Sequence, residues 1–118
     1  MANFYTDNDD IQFLFQHMDL AALAEIAEEG FRFAEEFDFA PENAKDAVDN
    51  YERILTTLGQ LSGDVIAPTA EHSDEVGNTL NDDGSVTYAP GIALAIKCLG
   101  QADAMGFTNL FYGPKFFH

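Results

Sequence analysis

The chain has 118 residues, of which 21 are acidic and 5 are basic, so its formal net charge at pH 7 is −16. This length suits one small domain. Phosphate backbones and anionic bilayers attract basic surfaces, so the charge argues against nucleic-acid and membrane-surface binding. The hydrophobic content of 47% is too high for a disordered acidic tail.

Cysteine usage and the N-terminus indicate the compartment. Cys98 is the single cysteine, which excludes a disulfide within the chain and a thiolate-rich zinc site. The opening MANFYTDNDD lacks the basic start and apolar run of a signal peptide. The apolar runs are also far shorter than the ~20 residues of a spanning helix. We therefore expect a cytoplasmic protein without a membrane span.

Apolar residues at helical spacing begin near the N-terminus. Ile11, Leu14, Phe15 and Met18 form one stripe behind a run of acidic residues that can cap a helix. These features predict a helix over 8–18. Asp19 can cap a second helix over 20–37, which Gly30 weakens by about 1 kcal/mol relative to alanine.

The third helix has the strongest pattern. Apolar residues keep three- and four-residue spacing from Ala44 to Ile66, and Pro41 suits a first helical turn. We expect a helix over 41–73, which Pro68 should kink or end. Gly59 and Gly63 lie inside it without the Lys-Ser/Thr ending of a phosphate loop, so they indicate close helix packing.

The remaining segments predict a small β flap and a last helix. Asp83-Gly84 is a tight-turn pair that can join Thr79-Leu80 to Val86-Thr87, which gives a flap near 79–88. Pro90 opens a helix over 90–105. The predicted class is thus all-α, with about four helices and the flap. An aromatic tail follows at 107–118, where no period organises the Phe and Tyr residues.

Calcium is the first metal that the acidic clusters suggest. The stretch 79–90 can be aligned with an EF-hand loop that has Gly84 at its invariant glycine. The first and last positions would then be Thr79 and Pro90, where the loop needs carboxylates. An acidic hairpin turn explains this stretch better.

The histidines do not predict a metal site either. His17 precedes Asp19, and His72 precedes Asp74 and Glu75, but neither set has the spacing that places two ligands on one metal. Both histidines are interpreted as solvated or capping residues. His118 is the last residue of the sequence.

Nucleophilic and acid–base candidates are equally sparse. Cys98 lies beside the apolar stripe of the last predicted helix, which favours an inert, buried thiol. A dense carboxylate group comprises Glu28, Glu29, Glu35 and Glu36. Paired carboxylates can divide acid and base roles, but these are expected on the solvated face of the second helix. We therefore assign no catalytic, cofactor-binding or metal residue from the sequence.

Several segments resemble one enzyme family in order and spacing. The opening FYTDNDDIQFLFQHMDL resembles the N-terminal extension of a bacterial subgroup of acyl-CoA dehydrogenases. IAPTAEHSDEVGNTL resembles a long helix that ends at Ala-Pro and leads into an acidic stretch closed by glycine. DGSVTYAPGI and ADAMGFT resemble the flap of that subgroup and the end of the helix before the flavoenzyme body.

This resemblance implies a flavoprotein of fatty acid metabolism that uses FAD to remove hydrogens from Cα and Cβ of an acyl-CoA thioester. An acyl-CoA substrate and an electron-transfer partner are implied for the full enzyme. The family places its glutamate base and its FAD contacts in later domains, so no glutamate of this chain takes the catalytic role. Residues 1–18 would be the extension, and 19–106 the N-terminal helical domain.

The resemblance stops after Thr108, where the family continues toward its active site and this chain reads NLFYGPKFFH. We therefore expect a truncated piece that is inactive alone. Its apolar surface would also allow homo-oligomers. The alternative is a small acidic helical module for protein–protein interaction, which would dock its apolar surface on a partner.

Overall fold

The computed structural model describes residues 2–104 of the chain. It consists of helices and one two-stranded sheet, which confirms the predicted all-α class with a β flap. The elements in chain order are α1 (Asp9–His17), α2 (Leu20–Ala27), α3 (Ala44–Leu61), a π-helical turn (Ser62–Ile66), α4 (Ala67–Val76), β1 (Thr79–Leu80), β2 (Val86–Thr87) and α5 (Pro90–Gln101). The last helix ends at Gln101, short of the predicted 105, and Asp103 has a left-handed φ of 54° that a right-handed helix cannot contain. Residue 105 and the predicted tail at 107–118 lie outside the described residues.

Three helices begin at capping side chains. The Asn8 side chain accepts a hydrogen bond from the Ile11 amide at the start of α1, and Asp19 accepts one from Ala22 at the start of α2. Asn43 does the same for Asp46 in α3. Each cap satisfies a backbone N–H that the first turn leaves free. The third helix therefore begins at Ala44, behind the Asn43 cap, and not at Pro41.

The second helix is shorter than the predicted span of 20–37. It ends at Ala27, and a 3-10 turn follows over Glu29–Phe31. Glu29, Gly30 and Phe31 have φ of 50°, 68° and 61°, in the left-handed region. A right-handed helix cannot continue through such residues. Gly30 marked the weak point, but the helix stops two residues before it.

Pro68 neither ends nor interrupts the third helix. The π turn lies directly upstream, and there the amide of Ala67 donates to the carbonyl of Ser62, five residues back. This wider turn accommodates a proline, whose ring would otherwise crowd the preceding turn. The Thr69 hydroxyl also donates to the carbonyl of Ile66 at 3.0 Å. Hence α3, the π turn and α4 form one helical run from Ala44 to Val76, past the predicted end at 73.

The flap forms with the predicted pairing. Its strands are antiparallel, with Thr79 opposite Thr87 and Leu80 opposite Val86. Gly84 has φ of 84°, as the tight turn requires. The Asn78 side chain accepts a hydrogen bond from the buried Ala89 amide at 2.9 Å and so ties the flap to the start of α5.

The N-terminal segment, residues 2–8, crosses the long helical run. The Phe4 amide donates to the Gly59 carbonyl at 3.0 Å, and the Asn3 side chain donates to the Thr56 carbonyl at 3.1 Å. A Cβ at Gly59 would lie 2.6 Å from the Tyr5 nitrogen, and one at Gly63 would overlap the Ala2 carbonyl group. The two glycines therefore allow the predicted close packing, but the partner is the N-terminal segment and not a helix.

The described residues bury little apolar surface. Four apolar residues are buried, and three of them are alanines: Tyr5, Ala24, Ala47 and Ala89. The radius of gyration is 17.4 Å and the principal extents are 49 × 36 × 19 Å. A domain of about 100 residues would normally have a radius near 13 Å. The fold is thus a flat slab about two helices thick.

We expect Gly59→Ala to lower stability by about 1–3 kcal/mol, because its Cβ has no room against Tyr5. The Phe4 amide, whose acceptor is the Gly59 carbonyl, should also lose protection from hydrogen exchange. Gly100→Ala is the matched control, since a Cβ there meets nothing within 4 Å. It should leave stability unchanged or raise it by up to about 1 kcal/mol. Urea unfolding and exchange measured by NMR test both; equal behaviour of the two variants would contradict the packing argument.

Candidate functional site

A groove of about 590 Å³ lies beside α3. Residues 38–40, which precede α3, form one wall of the groove. Ala102 and Ala104, which follow α5, form part of another wall. The floor is one face of α3. The lining residues are Asp38, Phe39, Ala40, Asp46, Asn50, Arg53, Ile54, Thr57, Leu58, Ala102 and Ala104.

The polar lining of the groove carries more negative than positive charge. Asp38 and Asp46 each contribute a carboxylate, and Arg53 contributes the guanidinium. That guanidinium donates to the Asn50 side chain at 3.1 Å. The two carboxylates would repel the pyrophosphate of FAD. The groove therefore does not fit the cofactor that the sequence resemblance implies.

The predicted carboxylate group is divided by the structure. Glu28 caps the end of α2, Glu29 pairs with Arg32, and Glu35 and Glu36 lie in turns beyond the helix. The expectation that all four share one helix face was wrong, because α2 ends at Ala27. Only Glu28 contacts a titratable side chain of another helix, and that residue is Tyr51.

The Glu28–Tyr51 hydrogen bond joins the end of α2 to the middle of α3. The Tyr51 hydroxyl donates to the Glu28 carboxylate at 3.0 Å. Burial of the phenol, followed by the hydrogen bond and the negative charge of Glu28, raises the pKa of Tyr51 to about 12. Burial and a nearby carboxylate both disfavour the phenolate. The pair holds a neutral phenol in place and works as a structural link.

The acidic turn of the flap is occupied by its own hydrogen bonds. Asp83 accepts from the Ser85 amide at 2.9 Å and from the Ser85 hydroxyl at 2.6 Å, and these bonds lower the pKa of Asp83. The Asn81 side chain donates to Ser85 and Thr87. This network is that of a hairpin turn. Thr79 lies in β1 and Pro90 opens α5, where an EF-hand loop would need ligands.

The histidines lie apart from each other. His17 ends α1, where its Nδ1 lies 2.8 Å from the Phe13 carbonyl oxygen and its ring stacks on Phe13 at 4.1 Å. His72 is exposed on α4. His118 lies outside the described residues. Within residues 2–104, no group of three or more His, Cys, Asp or Glu side chains could hold a metal ion.

Cys98 is a half-buried free thiol on α5. Lys97, its neighbour in sequence, is exposed. The structure places neither residue in the groove beside α3. Cys98 is thus less buried than the sequence predicted.

The sequence left the Tyr51–Glu28 contact unpredicted. Tyr51 was part of the apolar stripe of the third helix, where its hydroxyl gave no signal. A buried tyrosine usually has a hydrogen-bond partner for its hydroxyl. This rule could have predicted that Tyr51 bonds to a polar residue. The partner could not be identified, because the contact spans 23 residues and depends on where α2 ends.

Comparison with protein-family models, with curated proteins and with solved structures gives no match to this chain. Across residues 2–104, no helix combines the length and the apolar character needed to cross a bilayer.

The raised pKa of Tyr51 has a consequence at alkaline pH. The folded protein holds this pKa near 12, above the ordinary value of 10.0. The neutral phenol therefore contributes to stability in full below pH 10, and the contribution is lost as the pH rises from 10 to 12.

We expect Glu28→Gln to lower the pKa of Tyr51, because it removes the carboxylate charge. The Cζ chemical shift of isotope-labelled tyrosine, followed by NMR against pH, measures this pKa. Glu25→Gln is the control, since Glu25 lies exposed on the same helix. An unchanged Tyr51 pKa in Glu28→Gln would contradict the assigned contact.

Proposed function

We propose that the chain is the N-terminal helical part of a flavin-dependent acyl-CoA dehydrogenase and is inactive on its own. The complete enzyme would carry out α,β-dehydrogenation of acyl-CoA thioesters in the cytoplasm. It would use FAD, an acyl-CoA substrate and an electron-transfer partner. Those groups would bind to domains that contribute the base and the flavin contacts, and not to residues 2–104.

One support is the position of the resembling segments in the fold. IAPTAEHSDEVGNTL runs from the end of the π turn through α4 to β1, and DGSVTYAPGI covers the flap turn and the start of α5. Their order matches the resemblance. One detail differs from the family pattern, since the helix continues past Ala67-Pro68 as α4 and is closed at Gly77.

The proposal rests on how few apolar side chains the described residues bury. Among the described residues no large side chain is fully buried, whereas fourteen large apolar side chains are exposed. Single exposed apolar residues are common in folded proteins. A slab that exposes this many and buries mostly alanine lacks the interior of a self-sufficient domain. Further domains of a larger enzyme would cover that surface.

The purified chain should therefore retain no flavin absorbance and show no acyl-CoA-dependent reduction of a dye. A complete acyl-CoA dehydrogenase, assayed in parallel, is the positive control. Bound flavin together with turnover would contradict the proposed inactivity.

The descent is tested separately by the DNA that follows codon 118. A coding region for a β-domain and a second helical domain, in the same or a shifted frame, would support the dehydrogenase proposal. A downstream region that encodes neither domain would count against it.

The alternative function is an acidic helical module for protein–protein interaction. The half-exposed apolar residues of α1 favour it, since they lie among carboxylates. Light scattering and thermal unfolding separate the two candidates. A monodisperse species with a cooperative transition would favour the module, whereas soluble aggregate with a broad transition would favour a fragment of a larger enzyme.

A further inference from the structure

Helix α1 carries an apolar stripe that faces solvent. We call Ile11, Leu14 and Met18 the α1 face; they follow helical spacing, and their exposed fractions are 39%, 55% and 49%. The adjoining edge of the same helix, at Gln12 and Phe15, contacts Tyr5. Gln12 donates to the Tyr5 carbonyl at 3.2 Å, and the Phe15 ring meets the Tyr5 ring edge-on at 6.0 Å. The α1 face is therefore presented on an anchored helix.

The surroundings of the α1 face are negatively charged. Residues 2–31 contain seven acidic residues and neither Lys nor Arg. Asp9 and Asp10 lie in the first turn of α1, and Asp19 follows its end. Of the seven, Glu29 is the one that forms an ion pair within the described residues, with Arg32. The negative charge on α1 and beside its ends attracts a cationic partner.

Charge decides which partner fits the α1 face. A second copy of this chain would bring another −16 charge to an already acidic surface. An amphipathic helix with a basic rim supplies apolar anchors for the stripe and positive charge for the carboxylates.

We propose that the α1 face binds a basic amphipathic helix of a partner protein. Ile11, Leu14 and Met18 form the apolar contact, in which Met18 adapts to side chains of different shape. Asp10, which helical spacing places beside Leu14, and Asp19, which follows the end of α1, select Lys and Arg at the rim. This proposal does not depend on the dehydrogenase proposal, because it uses only contacts within α1 and its surroundings.

The test uses the full chain and a synthetic amphipathic helix of Leu and Lys, titrated by calorimetry. A Leu/Glu peptide with the same apolar face serves as the negative probe. Leu14→Asp changes the α1 face, and Ile26→Asp is its matched control. Ile26 is 76% exposed on α2, so both variants add one negative charge at an exposed site. Circular dichroism checks that both variants keep their helix content.

The Leu/Lys peptide should bind the wild-type chain and the Leu/Glu peptide should not. Leu14→Asp should weaken binding at least about tenfold, whereas Ile26→Asp should leave it within about twofold. Attraction by charge alone would make Leu14→Asp bind as tightly as Ile26→Asp, which would overturn the proposal. Absence of binding would overturn it too, as would a dimer that Leu14→Asp dissociates or binding that emerges only when residues 105–118 are deleted.

Discussion

The fold depends on small residues that let other segments of the chain pack closely against the helical run from Ala44 to Val76. Helix α2 packs on α3, where Ala47 is fully buried, and the N-terminal segment crosses at Gly59 and Gly63. Helix α5 meets α4 at Gly91, where a Cβ would lie 2.7 Å from Thr69. Small residues allow backbones to approach closely but contribute little apolar area. Shape thus determines this architecture more than burial does, and most large apolar side chains remain available for other contacts.

The sequence predicted the elements whose signals are local. The caps at Asn8 and Asp19, the turn at Asp83-Gly84 and the stripe of the third helix each lie within a few residues of the structure that they specify. Pro68 shows where a local rule fails. It was expected to kink or end the helix, but the upstream π turn shifts the hydrogen-bond register and the helix does not end there.

Contacts between distant residues were beyond the sequence patterns. The spacing of Gly59 and Gly63 predicted close packing but could not identify the N-terminal segment as the partner. Tyr51 and Glu28 were assigned to separate patterns, and the hydrogen bond between them depends on the end of α2. That end follows from three successive left-handed residues, two of which are not glycine, and such a conformation has no sequence signature at Glu29 or Phe31.

The position of the N-terminal segment against α3 also affects when that segment can become ordered during synthesis. The carbonyl of Gly59 that the Phe4 amide binds lies 55 residues later in the chain. At about 5–20 residues per second, the ribosome needs roughly 3–11 seconds to supply it. During that time Tyr5, buried in the finished fold, has no surface to enter. Residues 2–8 therefore cannot reach their final position until Gly59 has been made, and the Tyr5 ring stays exposed in the interval.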